Sequence, residues 1–155
     1  MVNVSASANG NESAGDNVNL SVCQEFKIDV STYSCAYHDG LILDGCKRGV
    51  AHIISAFNAG YGVGLVDDSG TDCRDIVISG SIYNNVSHGL YGKDALYIVF
   101  NGEILDDQTG AETQDTGITT EGTADYWVCS GLCRGNVGVN SLAGANNDLT
   151  NLVIV

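Results

Sequence analysis

Proline is absent from the 155 residues, and basic side chains are scarce: six Lys plus Arg stand against nineteen Asp plus Glu, a formal charge of −13. The first absence excludes polyproline and collagen-like segments and Pro-rich linkers. The second removes the electrostatic footprint of a nucleic-acid binder, whose affinity rests on neutralising phosphates, so no nucleic acid is expected as a partner. Long apolar runs are missing too. The longest, residues 95–100 and 152–155, fall far short of the ~18 residues of a membrane span. The opening Met1-Val2-Asn3-Val4-Ser5 has neither the basic nor the apolar region of a secretion signal. A soluble chain with no membrane span and no signal peptide in this form is expected, as for the processed form of a secreted protein.

A 44% hydrophobic content over this length suits one domain with a buried core. Six cysteines (Cys23, Cys35, Cys46, Cys73, Cys129 and Cys133) form an ordinary fraction of a chain too long for a minimal disulfide scaffold, so core thiols are expected. Cys129 and Cys133 make a CxxxC with no second Cys/His pair at zinc-finger spacing.

Twenty glycines punctuate an internal repeat. Val77-Ile78-Ser79-Gly80-Ser81-Ile82 recurs as Val99-Phe100-Asn101-Gly102-Glu103-Ile104 and as Val128-Cys129-Ser130-Gly131-Leu132-Cys133. Ile53-Ile54-Ser55-Ala56 and Asp29-Val30-Ser31-Thr32 extend the series upstream with Ala or Thr in the glycine slot. A second element follows each copy: Gly40-Leu41-Ile42-Leu43-Asp44, Gly64-Leu65-Val66-Asp67-Asp68, Gly89-Leu90-Tyr91-Gly92-Lys93 and Gly117-Ile118-Thr119-Thr120-Glu121. These elements are short, β-branched or aromatic, and bounded by Gly, Asn, Asp and Ser, which is the chemistry of strands and turns. A unit of ~24 residues with two such elements buries its apolar face only against the next copy, which predicts a parallel β-solenoid of about six coils. Val30, Ile54, Ile78, Phe100 and Cys129 are expected as one interior file, Ile82, Ile104 and Cys133 as a second, and Leu65, Leu90 and Ile118 as a third. Residues 17–155 form the solenoid domain in this reading, and 1–16 an irregular N-terminal segment or partial first coil.

The runs DIVISGSIYNNVSHGLYG (75–92) and DYWVCSGLCRGNVGVNSLAGANNDLTNLVIV (125–155) resemble the coils of the right-handed parallel β-helix of the pectin-lyase-like superfold, found in phage tailspikes, polysaccharide lyases and mannuronan epimerases. The resemblance covers about residues 26–155 and implies an all-β fold acting outside the cell or on a virion, directed at a glycan. Two departures stand beside it. The turn position that often carries an Asn ladder holds Gly80, Gly102, Gly131 and Ala56, and the Asp-Pro-His-Glu motif of the epimerases has no counterpart in a chain without proline.

Aligned on its glycine, the second element places Asp44, Asp68, Lys93 and Glu121 in one outward file. Two carboxylates so arranged suit acid and base or nucleophile on a glycosidic bond, and Lys93 suits a uronate carboxylate. His88 and His38 occupy comparable approaches to the second element two coils apart, which nominates His88 as acid or base beside Tyr91. The catalytic candidates are therefore Asp44, Asp68, Glu121 and His88. Lys93, Tyr91 and Trp127 are the substrate-binding candidates, Trp127 as a sugar-stacking platform with Tyr126 and Tyr97. Asp106, Asp107, Glu112 and Asp115 cluster in the longest interruption of the repeat and offer hard oxygens to Ca²⁺. The leading reading is a carbohydrate-directed β-helix module resembling part of a phage tailspike or polysaccharide lyase, whose carboxylate file accommodates both binding and cleavage of a glycan; the alternative is a non-catalytic structural or self-assembling solenoid. The apolar end, Leu152-Val153-Ile154-Val155, lacks a polar cap, which predicts self-association or a covering partner there.

Overall fold

The computed structural model describes residues 3–9, 16–35, 38–107, 114–135 and 142–155. Among the described residues twelve strands make up the regular structure: β1 (Asn3–Asn9), β2 (Val18–Ser21), β3 (Lys27–Tyr33), β4 (Leu41–Asp44), β5 (Lys47–Ala56), β6 (Val63–Val66), β7 (Arg74–Tyr83), β8 (His88–Lys93), β9 (Leu96–Leu105), β10 (Thr116–Glu121), β11 (Val128–Arg134) and β12 (Asp148–Ile154). They alternate between a seven-stranded sheet, ordered β1-β3-β5-β7-β9-β11-β12, and a five-stranded sheet, ordered β2-β4-β6-β8-β10. Every pairing between them is parallel. The chain is a parallel β-solenoid of about five turns, and among the described residues no helix is long and apolar enough to cross a membrane.

Side-chain alternation along each strand sends one set inward, and the in-register stacking gathers that set into files. Ile28, Ala51, Ile78, Phe100 and Cys129 form the central file, each no more than 2% exposed. Ile82, Ile104 and Cys133 stack as the repeat predicts. The other two expected files are corrected in their registers. Ile54 pairs with Ser31 and Ser81 on the outward-facing set, and Val30, although buried, stacks on Ile53 rather than beside Ile78. On the five-stranded sheet Leu90 and Ile118 stack on Val63 and Leu41, whereas Leu65 lies one step along, opposite Gly92.

The recurring glycine lies inside the long strands β7, β9 and β11. Gly80, Gly102 and Gly131 sit in one column, two of them at φ of +123° and +117°. A Cβ on each would strike the carbonyl oxygen of the residue stacked against it, Ile53, Gly80 or Gly102. Only a bare backbone fits there. The coil corners are built differently, from residues in the left-handed region. Glu25, Arg48, Asp75, Tyr97 and Tyr126, all at φ between +54° and +58°, follow stacked partners and make one such column. Left-handed backbone turns the chain sharply while its N–H still reaches the next coil, as Glu25 N does with Lys47 O at 3.0 Å and Tyr97 N with Asp125 O at 3.1 Å.

A polar ladder does exist, at the turn leaving the seven-stranded sheet rather than at the glycine slot. Asn58 donates through Nδ2 to Asn85 Oδ1 at 2.8 Å, Asn85 N donates to Gln114 Oε1 at 3.4 Å, and Cys35 N donates to Asn58 Oδ1 at 3.1 Å. All three amide side chains are fully buried, so each bond satisfies a group whose burial is otherwise unfavourable.

The six cysteines are free thiols. Burial pushes the thiols of Cys46 and Cys129 up to about 12 and that of Cys73 up to about 11, so almost none of each is thiolate at pH 8. Brief alkylation of the folded protein at pH 8 is expected to label the half-buried Cys23 first and the others only on unfolding. Peptide mass mapping reads the order directly, and early labelling of Cys73 or Cys129 would contradict it.

Candidate functional site

The five-stranded sheet carries a cleft of about 420 Å³ on its outer face, lined by residues that include Asp16, Asp39, Asp44, Tyr61, Asp68, Tyr91 and Lys93. Three outward columns build it. The first column, at or just before the strand starts, is Asp39, Tyr61, His88 and Thr116; the middle column is Asn19, Ile42, Gly64, Tyr91 and Thr119; the third includes Ser21, Asp44, Val66, Lys93 and Glu121.

The middle of the cleft is apolar although it faces outward. Ile42, Val66 and Tyr91 are less than 10% exposed because they pack on one another and on Tyr61, forming a second cluster separate from the core. The Tyr61 and Tyr91 rings stack at 4.3 Å and 14°, and His88 lies parallel to Tyr61 at 5.5 Å. Gly64 makes room for this arrangement: a Cβ there would meet the Ile42 side chain at 2.6 Å and the Tyr61 ring at 3.1 Å.

Carboxylates rim the aromatic wall. Asp39 accepts a short hydrogen bond from Tyr61 N. Burial raises its pKa above the usual carboxylate value, the Tyr61 N–H opposes that shift, and the neighbouring Asp16 adds to it. Asp44 accepts from Ser21 Oγ at 3.0 Å and from Ser69 N at 2.8 Å. Lys93 Nζ lies 2.8 Å from Asp67 Oδ1, and that carboxylate holds the ammonium pKa above its ordinary value. Glu121 accepts from the Tyr91 hydroxyl at 3.0 Å. Burial and this bond raise the Tyr91 pKa, keeping the hydroxyl a donor. Burial lowers the pKa of His88, against the pull of Asp115 and Glu121, and its Nδ1 lies 2.7 Å from Thr116 Oγ1.

The structure thus gathers Asp44, Asp68, Lys93 and Tyr91 around one cleft, with His88 and Glu121 bonded or stacked to its aromatic wall. The register differs from the expected file. Asp44, Lys93 and Glu121 belong to it, but Val66 occupies the place expected for Asp68, which sits two residues on in the turn and still lines the cleft. The position stacked in line with His88 two coils back is Asp39, not His38, which lines the cleft beside it. Trp127 stands apart: it is fully buried, its indole N–H donating to Ala95 O at 2.9 Å, and it offers a ligand no surface. Tyr97 and Tyr126 stack on the outside of the other sheet.

Sequence reasoning passed over Tyr61, Asp39 and Asp16. A usable signal was present for the first two: Asp39, Tyr61, His88 and Thr116 each immediately precede the glycine that opens a strand of this sheet (Gly40, Gly62, Gly89 and Gly117).

In the acidic interruption, Asp106 is buried and accepts from Gln114 N at 3.0 Å, while Asp107 exchanges two hydrogen bonds with Asn84. Asp115 is exposed and Glu112 lies outside the described residues. Among the described residues no group of three or more His, Cys, Asp or Glu side chains is placed to hold a metal ion. Cys129 and Cys133 both point into the core.

Comparison with protein-family models, curated proteins and solved structures gave no match to this chain.

Proposed function

We propose that the chain is a carbohydrate-binding solenoid whose site is the cleft on the five-stranded sheet. The observation that carries this reading is the aromatic wall in which the part-exposed Tyr61 stacks on the largely covered Tyr91, set within a rim of hydrogen-bonding carboxylates. A pyranose ring presents apolar C–H faces and a fringe of hydroxyls. Its faces suit an aromatic surface, and its hydroxyls suit acceptors such as Asp16, Asp39 and Asp68. The fold resemblance noted from the sequence supports the same ligand class.

Charge narrows that class. Four aspartates line the cleft, and its one lysine is already paired with Asp67. Neutral sugars or sugars bearing an amine are favoured over uronates, which meet repulsion that added salt relieves.

Asp39 supports a cleaving version of this reading. Burial raises its pKa and Asp16 lies beside it, an adjacent pair of carboxyl groups in unlike environments such as glycoside hydrolysis uses.

A glycan array followed by titration calorimetry tests the proposal. A neutral or amine-bearing oligosaccharide is expected to bind, with uronate oligomers weaker at low salt. Tyr61→Ala is expected to reduce affinity by about tenfold, the equivalent of ~1.4 kcal/mol, with the melting transition retained. If bound sugar is also cleaved, Asp39→Asn removes reducing-end release and spares binding. Absence of glycan binding would return the chain to a purely structural role, and full affinity in Tyr61→Ala would place the sugar site away from this aromatic wall.

A further inference from the structure

The outer face of the seven-stranded sheet is a second surface, separate from the cleft. In-register stacking lines its side chains up along the solenoid axis. The central column is Lys27, Val50, Val77, Val99, Val128 and Asp148. Its four valines are 37–43% exposed, so an unbroken β-branched stripe faces solvent between one cation and one anion. One flank carries Glu25 and Arg48, paired at 3.3 Å, then Asp75 and the stacked rings of Tyr97 and Tyr126, which are 47% and 45% exposed. The other flank is polar, with Asp29, His52, Ser79, Asn101 and Ser130. A stripe of this kind adds nothing to the chain's own core.

We propose that this face binds a second copy of the chain, sheet against sheet, about a twofold axis parallel to the strands. Such an axis lays every column against itself in reverse. Lys27 then meets the second copy's Asp148, Val50 its Val128 and Val77 its Val99. On the flanks Arg48 lies over the second copy's Tyr126, a cation–π arrangement, while Asp75 can accept from its Tyr97 hydroxyl. His52 faces Ser130, and Ser79 faces Asn101. These pairings set no like charges against each other. The other face-to-face relation, with the axis along the solenoid, puts Lys27 on Lys27 and Asp148 on Asp148, which charge repulsion disfavours.

Lys27 and Asp148 cannot meet within one chain, because five coil steps of ~4.8 Å separate them. Three columns of this length bury roughly 1,000 Å² in total, the lower end of specific interfaces and a size suited to a reversible, micromolar dimer. The contact leaves both clefts open, so the dimer is bivalent toward a repeating ligand. This inference does not depend on the glycan reading.

Sedimentation equilibrium across a concentration series tests it. The wild type is expected to show a monomer–dimer equilibrium, and Val77→Lys with Val99→Lys to remain monomeric while keeping the wild-type far-UV spectrum. Lys27→Asp and Asp148→Lys are each expected to raise the dimer Kd about tenfold, and their combination to restore it, since the reversed pair meets again across the axis. A wild type monomeric at every concentration overturns the proposal. So does failure of the combined exchange to restore the dimer. Association that survives the valine changes but is lost in Val153→Lys with Val155→Lys also overturns it, by placing the contact at the end of the stack.

Discussion

Replacing Ile78 by Asp is expected to destabilise the chain by about 5 kcal/mol, combining a lost aliphatic side chain with a carboxylate that has no partner. Ile78 is fully buried, stacked between Ala51 and Phe100 in the central file. A domain of this size has only ~5–15 kcal/mol of total stability, so the variant should unfold at much lower temperature or denaturant, or be insoluble on expression. Ile54→Asp supplies the control. Ile54 belongs to the outward set, only half-buried and between Ser31 and Ser81, so the same change there is expected to cost about 1 kcal/mol. Denaturant melts of the two variants compare one residue type at two registers. Equal losses would show that the inward and outward assignments are wrong.

That pair of isoleucines marks where the sequence was legible and where it was not. Two strand elements per repeat, their parallel stacking and the glycine column follow from spacing and composition, because Gly80, Gly102 and Gly131 fall where the backbone admits no Cβ. The upstream coils lack that glycine: Ile53 stands opposite Gly80 and Val30 opposite Ile53. With no glycine to align on, the Ile-Ile-Ser-Ala segment suggests a register three residues off.

A similar slip explains the cleft. Gly62 and Gly64 both resemble the glycine that opens a strand of the five-stranded sheet, and alignment on Gly64 displaces the coil by two residues. That puts Asp68 where Val66 stands and leaves Tyr61 unnoticed. The Asn58–Asn85–Gln114 ladder is illegible for another reason. Amide residues near turns ordinarily face water, and only the stacking of three successive coils encloses these.

Trp127 shows how a residue type can suggest one role and the fold give it another. An exposed Trp beside tyrosines suits a sugar platform, but here the indole fills the space left by the missing side chain of Gly92, on which a Cβ would collide with the ring. Leu20, Leu43 and Leu65 precede Gly92 in that interior column, so the ring takes the place of a fourth aliphatic side chain. Trp127→Ala is therefore expected to cost about 3–5 kcal/mol, from the cavity and from the lost bond to Ala95 O. Gly92→Leu alone should also destabilise, because its side chain and the indole need the same volume. Combined, the two changes replace the ring by a leucine that continues the column. The double variant is expected to be more stable than either single one by at least 1 kcal/mol, a coupling that non-interacting sites do not show. It should remain below wild type, since Ala95 O loses one of its two donors and keeps only Asp125 N. Urea melts followed by circular dichroism measure all four proteins without relying on the chain's only tryptophan. Additive losses would mean that the indole does not occupy the Gly92 space. Glycan affinity measured on folded Trp127→Ala should match wild type, because the ring sits beneath the sheet and not in the cleft; a loss there with stability unchanged would move Trp127 from the core into the binding surface.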